Sequence, residues 1–163
     1  MKVILYVVHG SQLPEKNLRL SDLIGEITQA TQDITALQEI AYLERQTDTL
    51  EVVAERLIKQ GATELIVMPV LLFPALHTLV DIPAELAFLA DKYPHIVTKI
   101  LKNFGDEADI FDILVDKIKA ISSEEVILLA HGTRHFSEPA EMLVTIAEKH
   151  RKKQVKRFEQ SII

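Results

Sequence analysis

Cysteine and tryptophan are both absent from this 163-residue chain, and glycine occurs only five times. Without cysteine there is no disulfide framework, thiolate metal site, iron–sulfur cluster or thiol nucleophile. None of the glycines falls in a G-x-G-x-x-G or phosphate-loop pattern, so dinucleotide and nucleoside triphosphate binding have no sequence support. No G-x-S-x-G elbow surrounds Ser11, which removes the usual setting of a hydrolase nucleophile. Long hydrophobic runs are missing too. The run at residues 3–8 is too short for a signal-peptide core and leads straight into His9-Gly10-Ser11. No stretch approaches the roughly 20 apolar residues of a membrane span. Positive charge is also scarce: 18 Lys and Arg stand against 24 Asp and Glu, a formal charge of −6, which argues against nucleic acid as a partner. A soluble, cytoplasmic protein with neither nucleic acid nor membrane as partner is expected. With 48% hydrophobic and 26% charged residues, the composition is that of a folded domain. A chain of this length buries about two-thirds of its unfolded surface and needs no staples.

Short apolar runs alternate with longer amphipathic ones. Residues 3–8 read as a buried strand, and Leu20, Leu23, Ile24 and Ile27 place a helix over 14–31. A second strand is expected over 34–43. Asp48 and Glu51 then form a capping-box-like pair ahead of the stripe Leu50, Val53, Ala54 and Leu57, with Gly61 at the helix stop. Residues 65–73 read as a central strand whose pairing stops near Pro69. Asp81 is a candidate N-cap, with Pro83 in the first turn of a third helix. A strand over 96–101, a helix over 110–121, a strand over 126–130 and a helix over 137–151 complete the series. Such β-α alternation predicts an α/β fold: a mostly parallel sheet with helices on both faces.

One internal repeat stands out. The strand before His9-Gly10-Ser11-Gln12 matches the one before His131-Gly132-Thr133-Arg134, and both lead into amphipathic helices. The division expected from it is a lobe over 1–122 and the start of a second, incomplete copy over 123–163, made of a strand, a helix and a basic tail.

In a parallel sheet, ligands bind at the carboxyl ends of the strands. His9 follows the first strand, Glu44 ends the second, and His77 follows the third, so chain-distant residues converge on one edge. Two imidazoles and a carboxylate suit a borderline divalent ion, and they also suit proton transfer near neutral pH. Taken singly, His9 reads equally as a helix-entry residue satisfied by backbone, and Glu44 as a solvated strand-end charge. His77, between Leu76 and Thr78, is harder to explain as surface. His95, at a turn on the opposite edge, reads as structural, and His150 as exposed. Gly10 and Ser11, at a strand-to-helix turn, are candidates for anion binding through backbone amides.

His9-Gly10-Ser11, Tyr42-Leu43-Glu44, and Met68-Pro69-Val70-Leu71-Leu72-Phe73 leading to His77 and Asp81-Ile82-Pro83 resemble, as an ordered set, the class II chelatases of the sirohydrochlorin type. The resemblance implies a Rossmann-like or flavodoxin-like lobe. It also implies ATP-independent insertion of a divalent metal substrate (Fe²⁺, Co²⁺ or Ni²⁺) into a tetrapyrrole, with no organic cofactor. His9 and His77 are then metal ligands and proton acceptors, Glu44 the assisting acid, and Gly10 and Ser11 substrate contacts. Related enzymes work in a cleft between two lobes, so a homodimer completing the cleft is one arrangement. The alternative is a non-catalytic metal or tetrapyrrole binding module. Two positions depart from the family pattern: Gln12 stands where Arg is common, and Pro74-Ala75-Leu76 lacks a common glycine before His77.

Overall fold

The computed structural model describes residues 1–35, 37–120, 126–130, 136–151 and 158–162. Strands β1 (Lys2–Val8), β2 (Gln38–Tyr42), β3 (Glu64–Pro69) and β4 (Val97–Ile100) form one parallel sheet in the order β2-β1-β3-β4. Between them run α1 (Pro14–Ala30), α2 (Leu50–Lys59) and α3 (Ile82–Lys92). The expected α/β architecture is therefore present.

The strand order determines which helix covers which face. The chain steps from β1 to β2 in one direction, then crosses back over β1 to β3 and on to β4. Right-handed crossovers place helices on opposite faces when the direction of travel reverses. Accordingly, α1 covers one face, where Ile24 packs on Ile4 and Tyr6. On the other face, Leu50, Val53 and Leu57 of α2 and Ile82, Leu86 and Leu89 of α3 pack on Val3, Leu5, Val7, Leu65 and Val67. β1 is buried on both sides, which explains its unbroken apolar run.

Local structure departs from expectation where tertiary partners compete with sequence signals. β2 starts at Gln38 rather than 34, because Ile34 belongs to a turn in which its amide donates to the Thr31 carbonyl, leaving the side chain exposed. Gln38 closes that turn, donating to the carbonyls of Thr31 and Thr35 and accepting from the Tyr6 hydroxyl at 2.7 Å. The N-cap of α2 is Thr49, whose hydroxyl accepts from the Val52 amide; Asp48 is drawn away by Arg56, at 3.1 Å. β3 ends at Pro69, and one further bond to β1 follows it, the Val70 amide donating to the Val7 carbonyl at 2.8 Å.

After β4 come a short 3₁₀ turn (Phe104–Asp106) and α4 (Ala108–Lys119). β5 (Val126–Ala130) and β6 (Phe158–Ile162) pair in parallel as a separate two-stranded sheet, with α5 (Glu138–Arg151) between them in sequence. A strand thus occupies residues 158–162, where the sequence pattern suggests only a tail. α4 and α5 meet the loop after β3 around an apolar cavity of about 260 Å³, lined by Phe73, Phe111 and Met142 among others. Among the described residues no helix is long and apolar enough to cross a membrane.

Candidate metal centre

The reversal of direction lies between β1 and β3, and open α/β sheets bind ligands beyond the carboxyl ends of strands at such a point. His9 leaves β1 there. Past the formal strand ends the β1–β2 ladder continues: the Leu43 amide donates to the Val8 carbonyl at 3.0 Å, and the Glu44 amide to the His9 carbonyl at 2.9 Å. His9 and Glu44 are thereby fixed side by side through their backbones.

Gly10 makes this zipper feasible. Its φ is +88°, and a Cβ there would lie 2.1 Å from the Glu44 carbonyl oxygen. Any side chain would force the two loops apart. On the other loop Arg45 adopts φ +66° without being glycine, a strain of about 1–2 kcal/mol. Gln46 helps hold this turn, its Nε2 donating to the carbonyls of Arg45 at 2.6 Å and Ser11 at 3.2 Å.

Ser11 closes the first loop. Its amide donates to Asn17 Oδ1 at 2.9 Å, its carbonyl accepts from Asn17 Nδ2 at 2.8 Å, and its Oγ accepts from the Leu13 amide at 3.2 Å. With the amide so engaged, the observed role of Ser11 is to shape the entry into α1. Gly10 likewise contributes shape.

His77 opens a π-helical turn, His77–Asp81, that runs directly into α3. The Thr78 hydroxyl anchors it, accepting from the Ala75 amide at 3.1 Å and donating to the Ala75 carbonyl at 3.2 Å. His77 Nε2 lies 3.7 Å from Glu44 Oε1, and the His77 ring meets that of His9 edge-on, with centroids 4.9 Å apart and planes at 84°. One donor atom each from His9, Glu44 and His77 falls within 4.8 Å of the others. Ligand atoms about an ion at about 2.1 Å sit roughly 3–3.5 Å apart, so closure around a metal needs only small rotamer changes. The three residues named from their strand-end positions do come together.

Two further carboxylates line the same cleft, of about 320 Å³, with Glu44 and His77: Asp81 and Glu85. Asp81 Oδ2 sits 2.8 Å from His77 Nδ1. This contact leaves Asp81 without the N-cap role expected from its position, since it makes no side-chain capping bond. A carboxylate on Nδ1–H orients the ring and commits Nε2 to the metal side. Burial, reinforced by Glu51 and Asp81, pushes the Glu85 carboxyl up from its ordinary range, against a backbone hydrogen bond from Glu51. Strand-end position points to neither acid, although the spacing His77, Asp81, Glu85 repeats every four residues and marks one helical face. Replacing Asp81 with asparagine is expected to weaken Co²⁺ binding by about 10–100-fold. A titration following cobalt ligand-field absorption checks this, and unchanged affinity would remove Asp81 from the site.

Among the described residues the remaining histidines are His95 and His150, and His135 lies outside them. His95 is exposed at the turn into β4, its ring 6.5 Å from that of Tyr93. His150 falls within α5. His131, Gly132, Thr133 and Arg134 lie outside the described residues.

Comparison with known proteins gives the family. The sirohydrochlorin ferrochelatase of Priestia megaterium is 32% identical over 146 residues, 86% of this chain and 53% of that protein. That of Bacillus subtilis is 32% identical over 136 residues, 81% of this chain and 51% of that protein. The chain thus spans about half the length of the curated relatives it matches. A crystal structure of the sirohydrochlorin chelatase SirB from Bacillus subtilis subspecies spizizenii in complex with cobalt superposes with a TM-score of 0.82 at 28% identity, covering 98% of this chain and 66% of that one. The CbiX family model matches residues 3–121, a span that contains all of the main sheet but Lys2 and every residue of the cluster. With that match on top of the shared fold, the chain belongs to the CbiX family.

Proposed function

We propose that this chain inserts a divalent metal, Fe²⁺ or Co²⁺, into sirohydrochlorin without ATP. The observation that carries the reading is the convergence of His9, Glu44 and His77 within 4.8 Å at the switch edge of the sheet. Membership of the CbiX family supports it. Ni²⁺ suits the same donors, because imidazole and carboxylate do not discriminate among these ions.

The net reaction exchanges one M²⁺ for two pyrrole protons. His9 and His77 offer nitrogen lone pairs to the incoming ion, and Glu44 offsets part of its charge. As ring nitrogens displace these ligands, the lone pairs released on the imidazoles become available to the departing protons. Glu44, on the edge of the cluster, takes or orients a ring N–H. Asp81 keeps His77 in the tautomer that this exchange needs. Gly10 and Ser11 shape the floor on which the macrocycle rests. In the same reading, residues 1–122 are the metal-handling lobe, 123–163 open a second lobe, and a second copy of the chain closes over the tetrapyrrole.

The deciding experiment is anaerobic insertion into sirohydrochlorin followed by absorbance. A rate well above the protein-free background with Fe²⁺ or Co²⁺ is expected. A background rate accompanied by saturable tetrapyrrole binding would replace the enzyme with a binding module, the second reading.

A further inference from the structure

The cleft beside the cluster is acidic: Glu44, Asp81 and Glu85 line it together. That charge attracts a divalent cation and repels a substrate whose rim carries several carboxylates. The position after His-Gly-Ser offers no compensation, since Gln12 is neutral and exposed. Among the described residues, the Lys or Arg paired with the cluster is Arg45. Its Nε lies 3.6 Å from Glu44 Oε2, its side chain is 51% exposed, and its Nη1 and Nη2 have no partner among the described residues.

The backbone explains how it gets there. Successive side chains on an extended strand point to opposite faces. The left-handed turn at Arg45 breaks that alternation, so the consecutive Glu44 and Arg45 both reach the strand-end edge. A strained non-glycine residue persists only where its surroundings over-determine it, and such residues cluster at functional positions. Here the Gln46 amide and the Glu44–His9 backbone bond do the holding. A half-exposed guanidinium with two nitrogens unpartnered among the described residues has the geometry for a paired contact with a carboxylate.

We propose that Arg45 docks a peripheral carboxylate of the tetrapyrrole and so holds the macrocycle over His9, Glu44 and His77. The inference rests on the substrate reading above. It assigns to the second strand-end loop a recognition role that the first loop, with Gln12, does not supply.

The test uses Arg45→Lys, Arg45→Ala and Arg45→Glu in the full chain, with metal-free sirohydrochlorin titrated by absorbance and Co²⁺ titrated separately. The Kd and KM for the tetrapyrrole should rise about tenfold in Arg45→Ala, the scale of one lost charge-assisted contact, further in Arg45→Glu, and less in Arg45→Lys. The kcat should stay within about twofold, and so should Co²⁺ affinity in Arg45→Lys and Arg45→Ala, whereas the added carboxylate of Arg45→Glu should tighten Co²⁺; every parameter of Lys59→Ala, a charge at the far end of α2, should stay within about twofold. Added salt should weaken tetrapyrrole binding more in the unsubstituted chain than in Arg45→Ala. Tetrapyrrole affinity unchanged in the Ala and Glu variants overturns the inference, as does a shift confined to Co²⁺ affinity, which would make Arg45 a partner of Glu44 alone. Absence of saturable tetrapyrrole binding by the unsubstituted chain also overturns it. Arg45-dependent binding without insertion sinks the catalytic reading and leaves this one standing, whereas insertion with an Arg45-independent KM does the reverse.

Discussion

Alanine at position 77 is expected to slow metal insertion by about 10²–10³-fold, the range for losing a ligand that is also a proton acceptor. His77 is the hub of the site. It faces Glu44 through Nε2 at 3.7 Å and Asp81 through Nδ1 at 2.8 Å, and its ring stands edge-on to that of His9. Removing it cuts the donor set from three to two and leaves Glu44, Asp81 and Glu85 lining a cleft with no imidazole between them. The expected loss lies in kcat/KM with either ion, and the His9→Ala/His77→Ala double variant should fall to the protein-free rate. Folding should be largely spared, because the side chain remains 23% exposed and fills no core position. Far-UV circular dichroism and a urea midpoint supply that control. A single variant within threefold of the unsubstituted rate would show that the cluster is not the reacting centre.

Gly10→Ala should have the opposite profile, with stability lost first and activity lost with it. The substitution introduces a Cβ 2.1 Å from the Glu44 carbonyl at a backbone φ of +88°. Left-handed strain alone costs about 1–2 kcal/mol, and relieving the overlap breaks the Glu44–His9 backbone bond, for a total of about 2–4 kcal/mol. Urea denaturation would show a lower midpoint with an unchanged slope. Gly25→Ala serves as the comparison: Gly25 lies inside α1 with nothing within 4 Å of its would-be Cβ, so alanine there should raise stability by about 0.5–1 kcal/mol. Equal midpoints for the two variants would mean that the zipper between the first two strand-end loops contributes nothing to folding.

Features governed by local periodicity are readable from the chain alone. The apolar run of β1 and the stripe of α2 follow from spacing, because burial on both sheet faces or on one helix face permits little else. The positions of His9, Glu44 and His77 at strand ends follow from β-α alternation, since parallel strands end on one edge. What escapes the sequence is decided by competition among side chains for partners. Asp48 and Asp81 both stand where an N-cap belongs, yet Arg56 claims the first and His77 the second. Ile34 has strand-like chemistry but falls in a turn closed by Gln38, with its side chain left in solvent. The left-handed turn at Arg45 has no glycine or asparagine to announce it. These outcomes depend on contacts between segments far apart in sequence, which no local pattern encodes.

His9 is exposed, and all three donors of the cluster project from one edge of a single sheet. An ion held there is gripped from one side. A first-row divalent ion with three protein ligands keeps roughly three coordination positions for water, and water on such ions exchanges readily. Protein sites that store metal surround it with their own ligands and release it slowly. Here occupancy would track the free concentration of the ion in the surroundings, and residence would be brief. A resting chain would carry little metal through purification, yet a competing ring of four nitrogens would find an ion already half stripped of water.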